Sequence, residues 1–341
     1  MMPQTLEDGV LYLFLFGPGF GESTIIRIPP SHWIVIDSCR IAHRSAALHV
    51  LEKFDGVASC TILTHPHRDH YRGFSEVLDS VDWAVVGCCD LRLEDEDVDT
   101  FVDPESRRGN ELEQILAGIT DYWRRKEGAK WWTWRSSHRQ VGEARLTSLH
   151  PPEQFARENS PTNSNSLSSA MLLEWCQVRI LLGADVENPH WEQITKEFAA
   201  LNVHVAMKTP HHASQGALHT SVLSGDDKRL WLVTPNNHGG TLPRFEEGHG
   251  PELMLRHVSE LYLTGLPVAH DCQNDCPCSA TRRQLQSGAF PRPSPFELPG
   301  GLVGDTLPDH DDLSCYLIAR FDEAGNGRVD VCGPGTVRVS E

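Results

Sequence analysis

Three imidazoles and one carboxylate stand together in the run His65-Pro66-His67-Arg68-Asp69-His70. Imidazole nitrogen and carboxylate oxygen are the donors zinc prefers, and they also suit iron and manganese. On a loop, residues two apart converge on one ion, and Asp69 and His70 can turn toward a second. The competing reading is a histidine-rich surface loop with no role. The preceding residues argue against it, because 60–64 (CTILT) is a short apolar run that reads as a buried strand. The loop therefore sits at the C-terminal edge of a strand, where α/β proteins usually build their sites. Three other runs end in similar residues. HWIVID closes on Asp37, the run 178–182 leads into Gly183-Ala184-Asp185, and 203–208 leads into Pro210-His211-His212. Asp185 could also be only a turn residue.

The positioning elements follow from hydrophobic periodicity. Strands are expected at 10–16, 23–28, 32–37, 60–64, 83–87 and 143–149, then as a pair at 169–175 and 178–182 around a tight turn at Cys176-Gln177. Further strands are expected at 203–208, 230–234 and 261–264, with a closing hairpin over 313–333 that turns at Gly325-Asn326-Gly327. Helices are expected at 42–54, 71–79, 111–127, 189–201 and 251–260. Strands followed by strand–helix alternation, twice over, predict an α/β fold of two sheets packed face to face with helices outside. One domain over 1–341 is expected, with excursions from the core at 88–140 and 265–310.

The histidine run resembles the metallo-β-lactamase superfamily signature H-x-H-x-D-H, matched at His65, His67, Asp69 and His70. Further motifs are similar to the soluble metallohydrolase domain of competence (ComEC-like) proteins. They are the Gly-rich turn from Gly17 through Glu22, Asp37-Ser38-Cys39, the Leu-His-Pro-Pro stretch at Leu149, Asn163-Ser164-Asn165-Ser166-Leu167, Gly183-Ala184-Asp185 and Pro210-His211-His212-Ala213-Ser214. The resemblance implies an αββα sandwich of two mixed β-sheets, and two divalent metal ions, zinc or manganese. It places His65 and His67 on the first ion, Asp69 and His70 on the second, and Asp185 between them. One of His211 and His212 completes the second ion. His211 is favoured, which leaves His212 to contact substrate or donate a proton. Asp37 orients a ligand histidine, and Asp69, His212 and Asp37 are the residues expected to serve catalysis. No further histidine stands ready for the first ion, so Asn163, Asn165 or Ser166 could contribute there. His150 reads as a loop residue.

The net charge of −17 disfavours wrapping of long nucleic acid, which calls for a basic face. It leaves room for a small phosphorylated substrate. The acidic stretch 94–99 reads as a solvated loop. The ten cysteines form no compact disulfide framework. Cys272, Cys276 and Cys278 with His270 could hold a structural zinc, though their spacing is irregular. Trp131, Trp132 and Trp134 follow Arg124, Arg125, Lys126 and Lys130, and could stack bases or simply pack. No run reaches the length of a membrane span, and no basic region precedes the apolar run at 10–16. A cytoplasmic enzyme with no membrane partner is expected. Its expected activity is metal-dependent hydrolysis, most readily phosphodiester cleavage in a nucleotide or single-stranded nucleic acid. A lactone, thioester or amide hydrolase is the alternative, as is a partner-binding component with a vestigial site.

Overall fold

Alternation with a period of two decides the core of the first strand, β1 (Leu11–Phe16). Leu11, Leu13 and Leu15 face one apolar cluster, while Tyr12, Phe14 and Phe16 face another. Every residue of β1 is buried, as in a central strand covered on both faces. The structure is a computed structural model. It describes residues 2–17, 21–41, 44–81, 84–88, 109–125, 130–158, 164–198, 201–223, 229–236, 242–245, 248–265, 296–297, 303–306, 316–332 and 336–340.

After β1 come β2 (Ser23–Ile28) and β3 (His32–Ile36), then the small hairpin β4 (Arg40–Ile41) and β5 (Arg44–Ser45), and α1 (Ala46–Lys53). Next are β6 (Ala58–Leu63), α2 (Arg68–Tyr71), α3 (Phe74–Asp79), β7 (Val85–Cys88), α4 (Gly109–Arg125) and β8 (Lys130–Trp132). The middle of the chain supplies β9 (His138–Val141), β10 (Ala144–Ser148), α5 (Glu153–Glu158), β11 (Met171–Trp175), β12 (Val178–Leu182) and α6 (Asn188–Glu197). Then follow β13 (Ala206–Lys208), α7 (Thr220–Leu223), β14 (Leu230–Val233), α8 (Gly250–Leu255) and β15 (Leu261–Leu263). The last strands are β16 (Phe296–Glu297), β17 (Val303–Thr306), β18 (Tyr316–Phe321), β19 (Gly327–Cys332) and β20 (Val337–Ser340).

These strands form two large mixed sheets. One has the order β19-β18-β1-β2-β3-β6-β7-β8, the other β16-β17-β20-β15-β14-β13-β12-β11-β10-β9. A single apolar cluster joins them, with Leu13, Ile26 and Ile62 from the first sheet meeting Leu146, Leu173 and Ile180 from the second. The sheets therefore pack face to face. The outer face of the first is covered by α1, α3 and α4 through Val50, Phe74 and Ile119. The outer face of the second is covered by α6, α7 and α8 through Trp191, Val222 and Met254. The expected α/β class, two mixed sheets with helices outside, is what the chain forms. No helix among the described residues is long and apolar enough to cross a membrane.

Two runs of parallel strands matter for the site. In the first sheet β3, β6, β7 and β8 run parallel, and in the second so do β12, β13, β14 and β15. Parallel neighbours present their C-terminal ends on one side, where α/β sheets bind ligands. The helix expected at 71–79 is divided: α2 starts earlier, on the histidine run, and Gly73 at φ 88° breaks it from α3. Residues 109–125 and 130–140, inside the first expected excursion, form α4, β8 and most of β9, with β8 and β9 at edges of the two sheets. Residues 266–295, including His270, Cys272, Cys276 and Cys278, and 89–108, including the acidic stretch, lie outside the described residues.

Candidate metal centre

Sharp reversals at strand ends build this site. Asp37 follows β3 at φ 57°, Ala184 follows β12 at φ 46°, and His211, His212 and Ala213 follow β13 at φ 43°, 53° and 58°. Side chains other than glycine rarely take this left-handed backbone, at a cost of roughly 1–2 kcal/mol per residue. The surrounding structure imposes it. His211 N donates to Ala184 O at 2.5 Å, and a Cβ on Gly183 would meet Pro210 N at 2.6 Å. Only glycine at 183 lets these two loops approach so closely. The histidine loop after β6 is held on three sides. Glu22 N donates to Asp69 O at 2.8 Å, Ser38 N to His70 O at 2.8 Å, and Ser169 N to Thr64 O at 3.1 Å.

The side chains gather at the seam between the sheets. His65, His67 and Asp185 each offer a donor atom within 4.8 Å of the others. His65 Nε2 lies 3.6 Å from Asp185 Oδ2, and His70 Nε2 lies 3.5 Å from the same oxygen. On the other side of His70, His212 Nε2 approaches Asp69 Oδ2 at 3.2 Å, and His70 Nε2 stands 3.9 Å from it. His65 Nε2, His70 Nε2 and Asp185 Oδ1 are buried and, among the described residues, have no hydrogen-bond partner. Orphaned buried polar atoms are costly, and these three belong to one cluster of metal-donor types. A divalent ion with bonds of about 2.0–2.2 Å satisfies them after a small contraction. The donor types thus fit divalent metal.

The backs of the rings explain which nitrogens face inward. His70 Nδ1 donates to Asp37 Oδ2 at 2.7 Å, and Asp37 also accepts from Thr64 N at 2.8 Å and Thr64 Oγ1 at 2.7 Å. His212 Nδ1 donates to Thr234 O at 3.0 Å. Fixing the proton on Nδ1 leaves the Nε2 lone pair for a metal. Glu22, His70 and His212 also bring donor atoms together, and Glu22 approaches the two rings at their Nδ1 atoms, which are already bonded. Glu22 itself accepts from Lys208 Nζ at 2.5 Å and from Thr234 Oγ1 at 2.5 Å. We therefore read Glu22 as buttressing the two rings from behind, at 3.6 Å from each Nδ1. Lys208 balances the buried charge.

The local field favours a cation. Burial opposes charge on the His70 ring, yet Asp185, Asp37, Asp69 and Glu22 hold it well above the ordinary imidazole range. Burial would also raise Asp185, but His70, His212 and His65 outweigh it and keep that carboxyl well below the usual range. Burial, reinforced by the neighbouring His70 ring, pushes His65 well below the imidazole range. Burial raises Asp37 despite the opposing pull of His70.

The sequence-predicted residues His65, His67, Asp69, His70 and Asp185 are thus brought together, with Asp37 directly behind His70. The two neighbouring histidines divide differently from the expectation. His212 is buried against Asp69, whereas His211 is partly exposed, with Nδ1 3.6 Å from Glu187 Oε1 and 3.3 Å from Ser214 Oγ. His150 lies elsewhere. It is buried, its Nδ1 donates to Ser168 O at 2.9 Å, and its ring meets His190 at 4.5 Å. Burial, then His190, pushes it down to about 3. Asn163 is outside the described residues, and Asn165 and Ser166 lie in the short turn Ser164–Leu167 before β11. Trp131 is buried, and Trp132 and Trp134 stack on each other at 5.7 Å and pack on the helix-side core. Glu22, Lys208, Thr234 and Asn236, whose Nδ2 donates to Asp69 Oδ2 at 3.2 Å, were not anticipated as site residues. The only sequence signal for them is position: each lies at or just beyond a strand end.

A cavity of about 340 Å³ opens over the cluster. His67, Asp69 and Asp185 of the cluster line it together with Arg68, Arg72, His211 and Asn236.

No family model matches the sequence, and no curated protein matches it. Solved structures do. A protein of unknown function from Enterococcus faecalis is 12% identical, with a TM-score of 0.35, over 59% of this chain and 49% of that one. A variant of the CmlA β-hydroxylase is 13% identical, with a TM-score of 0.38, over 62% of this chain and 37% of its own. The metallo-β-lactamase-fold protein YhfI from Bacillus subtilis is 12% identical, with a TM-score of 0.34, over 60% of this chain and 71% of that one. The chain spans about half or less of the length of the first two.

Proposed function

We propose that the protein is a dinuclear metal-dependent hydrolase, and within that class a phosphodiesterase acting on a nucleotide or a short single strand. The observation that carries this reading is the cluster of unsatisfied Nε2 atoms around Asp185. His65 and His67 would hold one ion and Asp69, His70 and His212 the other, with Asp185 serving both. His212 thus takes the ligand place first given to His211, and His211 is left facing the cavity, free to contact substrate. Zinc and manganese both suit these donors.

A pair of divalent ions supplies activation of water at neutral pH and polarises a phosphoryl or carbonyl oxygen. The chain's own residues do the rest. Asp37 and the Thr234 carbonyl keep His70 and His212 in the tautomer that leaves Nε2 bare. Glu22 and Lys208 hold the second group from behind. Asn236 orients Asp69 by donating to its Oδ2. Burial of His65, His70, His212 and Asp185 excludes water from the flank of the site away from the cavity. A phosphodiester is supported by the cavity, whose lining among the described residues includes two arginines and no hydrocarbon side chain, and by the competence-type motifs.

The test is a panel of bis(p-nitrophenyl) phosphate, dinucleotides, cyclic dinucleotides, plasmid, a lactone and a thioester, with zinc or manganese present. Turnover of the small phosphodiesters is expected. Activity confined to the lactone or thioester would reject the phosphodiesterase assignment. Absence of bound metal after reconstitution would reject the hydrolase class.

A further inference from the structure

Arg68 and Arg72 line the cavity over the two donor groups but belong to neither. Arg68 opens α2 and Arg72 closes it. Residues four apart on a helical turn share a face, so the two side chains stand on the same side of the histidine loop. Among the described residues the Arg68 guanidinium has no hydrogen-bond or ion-pair partner. That is out of keeping with its surroundings, because the chain has 47 acidic residues against 30 basic ones. The cavity is near the small end of ligand sites, which run from roughly 300 to 1,000 Å³ and are mostly apolar. Among the described residues, this one has no hydrocarbon side chain in its lining. Such a lining suits a small polar occupant, and the Arg68 guanidinium, with Arg72 beside it, calls for an anion. A guanidinium fork matches the oxygens of a phosphate two at a time.

On the phosphodiesterase reading above, the donor groups deal with the scissile phosphate, and the Arg68 guanidinium has no part in that. We propose that Arg68 and Arg72 bind a second phosphate of the substrate. The preferred substrate is then a small phosphodiester that also bears a terminal phosphate, the 5′-phosphorylated dinucleotide being the simplest case. Asn236 and His211, on the same lining, offer amide and imidazole contacts to the rest of such a molecule.

The experiment compares kcat/KM of the metal-loaded full chain for a dinucleotide with and without a 5′-phosphate. The wild type is expected to favour the phosphorylated substrate by about tenfold or more, the factor given by one well-formed charged contact. In Arg68→Ala and Arg72→Ala that preference should fall toward one, chiefly through KM, and Arg68→Lys should recover part of it. A second readout needs no turnover: calorimetric titration of the chelator-stripped chain with inorganic phosphate. Binding should weaken by about tenfold or more in the alanine variants, while metal content after reconstitution stays at the wild-type value. The proposal is overturned if the wild type shows no preference. It is also overturned if the variants lose both substrates equally, which would put the arginines on the scissile phosphate, or if phosphate binding does not change. If neither dinucleotide is cut, the phosphodiesterase reading fails, and the phosphate titration still reports on the arginines separately.

Discussion

Asp37→Asn separates the orientation of His70 from every other feature of the site. Asp37 is at φ 57°, a backbone that asparagine tolerates as well as aspartate does, so the substitution adds no strain. It also keeps the volume. The side-chain oxygen still accepts from Thr64 N. The new NH2 group, however, faces His70 Nδ1, where a carboxylate oxygen now accepts at 2.7 Å. A donor cannot accept the Nδ1 proton. The ring either loses its partner or takes the other tautomer, which puts a proton on Nε2 and blocks the metal face. Loss of a hydrogen bond behind a ligand histidine costs about 10–100-fold in metal affinity, or roughly 1.4–2.7 kcal/mol. Competition against a chromophoric chelator measures this directly, and circular dichroism checks that the fold is retained. One of the two ions should weaken by that factor while the other changes little. Affinity equal to the wild type at both sites would refute the tautomer argument and, with it, the choice of Nε2 as the inward atom.

The adjacent histidines should behave differently: His212→Ala is expected to lower metal content from near two toward one per chain by elemental analysis, whereas His211→Ala keeps it near two. The opposite pattern would return the ligand role to His211. Acid should also destabilise the fold through His204, which burial holds down at about 4, below the value of about 6.5 for a free imidazole. A depressed histidine contributes its stability fully above the unfolded value and loses it as pH falls toward the folded one, so between pH 7 and 4.5 the loss is about 2 kcal/mol. His204→Gln removes that dependence, and urea unfolding should show its deficit relative to wild type shrinking by this amount; a pH-independent deficit would refute it. Gly183→Ala should cost about 1–3 kcal/mol in the same assay by forcing a Cβ into Pro210, and unchanged stability would show that these loops can separate freely.

Much of the centre was legible in the sequence, because each of its loops follows an apolar run that could only be a strand. The runs ending at Asp37, Leu63 and Leu182 told where the polar residues would emerge. What the sequence could not rank was His211 against His212. Two neighbours of the same type differ only in which one the left-handed backbone turns inward, and that conformation is imposed by Gly183 and Ala184 on a different strand. Lys208 read as the end of a strand and Glu22 as the end of a turn. Their pairing joins residues 186 apart in sequence, so no local pattern reveals it. The edge strands β8 and β16, and β17 beside β16, escaped notice because two to four residues carry too little periodicity to register. β20, also four residues long, was missed for the same reason although it lies between β15 and β17.

The order in which the strands pair has a consequence for biosynthesis. β1 lies inside its sheet, with β2 on one side and β18 on the other, and Leu11 pairs with Phe321. Translation at about 5–20 residues per second takes roughly 15–60 s to cover that separation. Throughout that interval one edge of β1 has no neighbour and invites pairing with another nascent chain. The metal-donor residues, the last of them His212, emerge well before that edge is covered. A message truncated ahead of β18 would therefore release a chain that carries every residue of the candidate metal centre but leaves that edge of β1 open to aggregation.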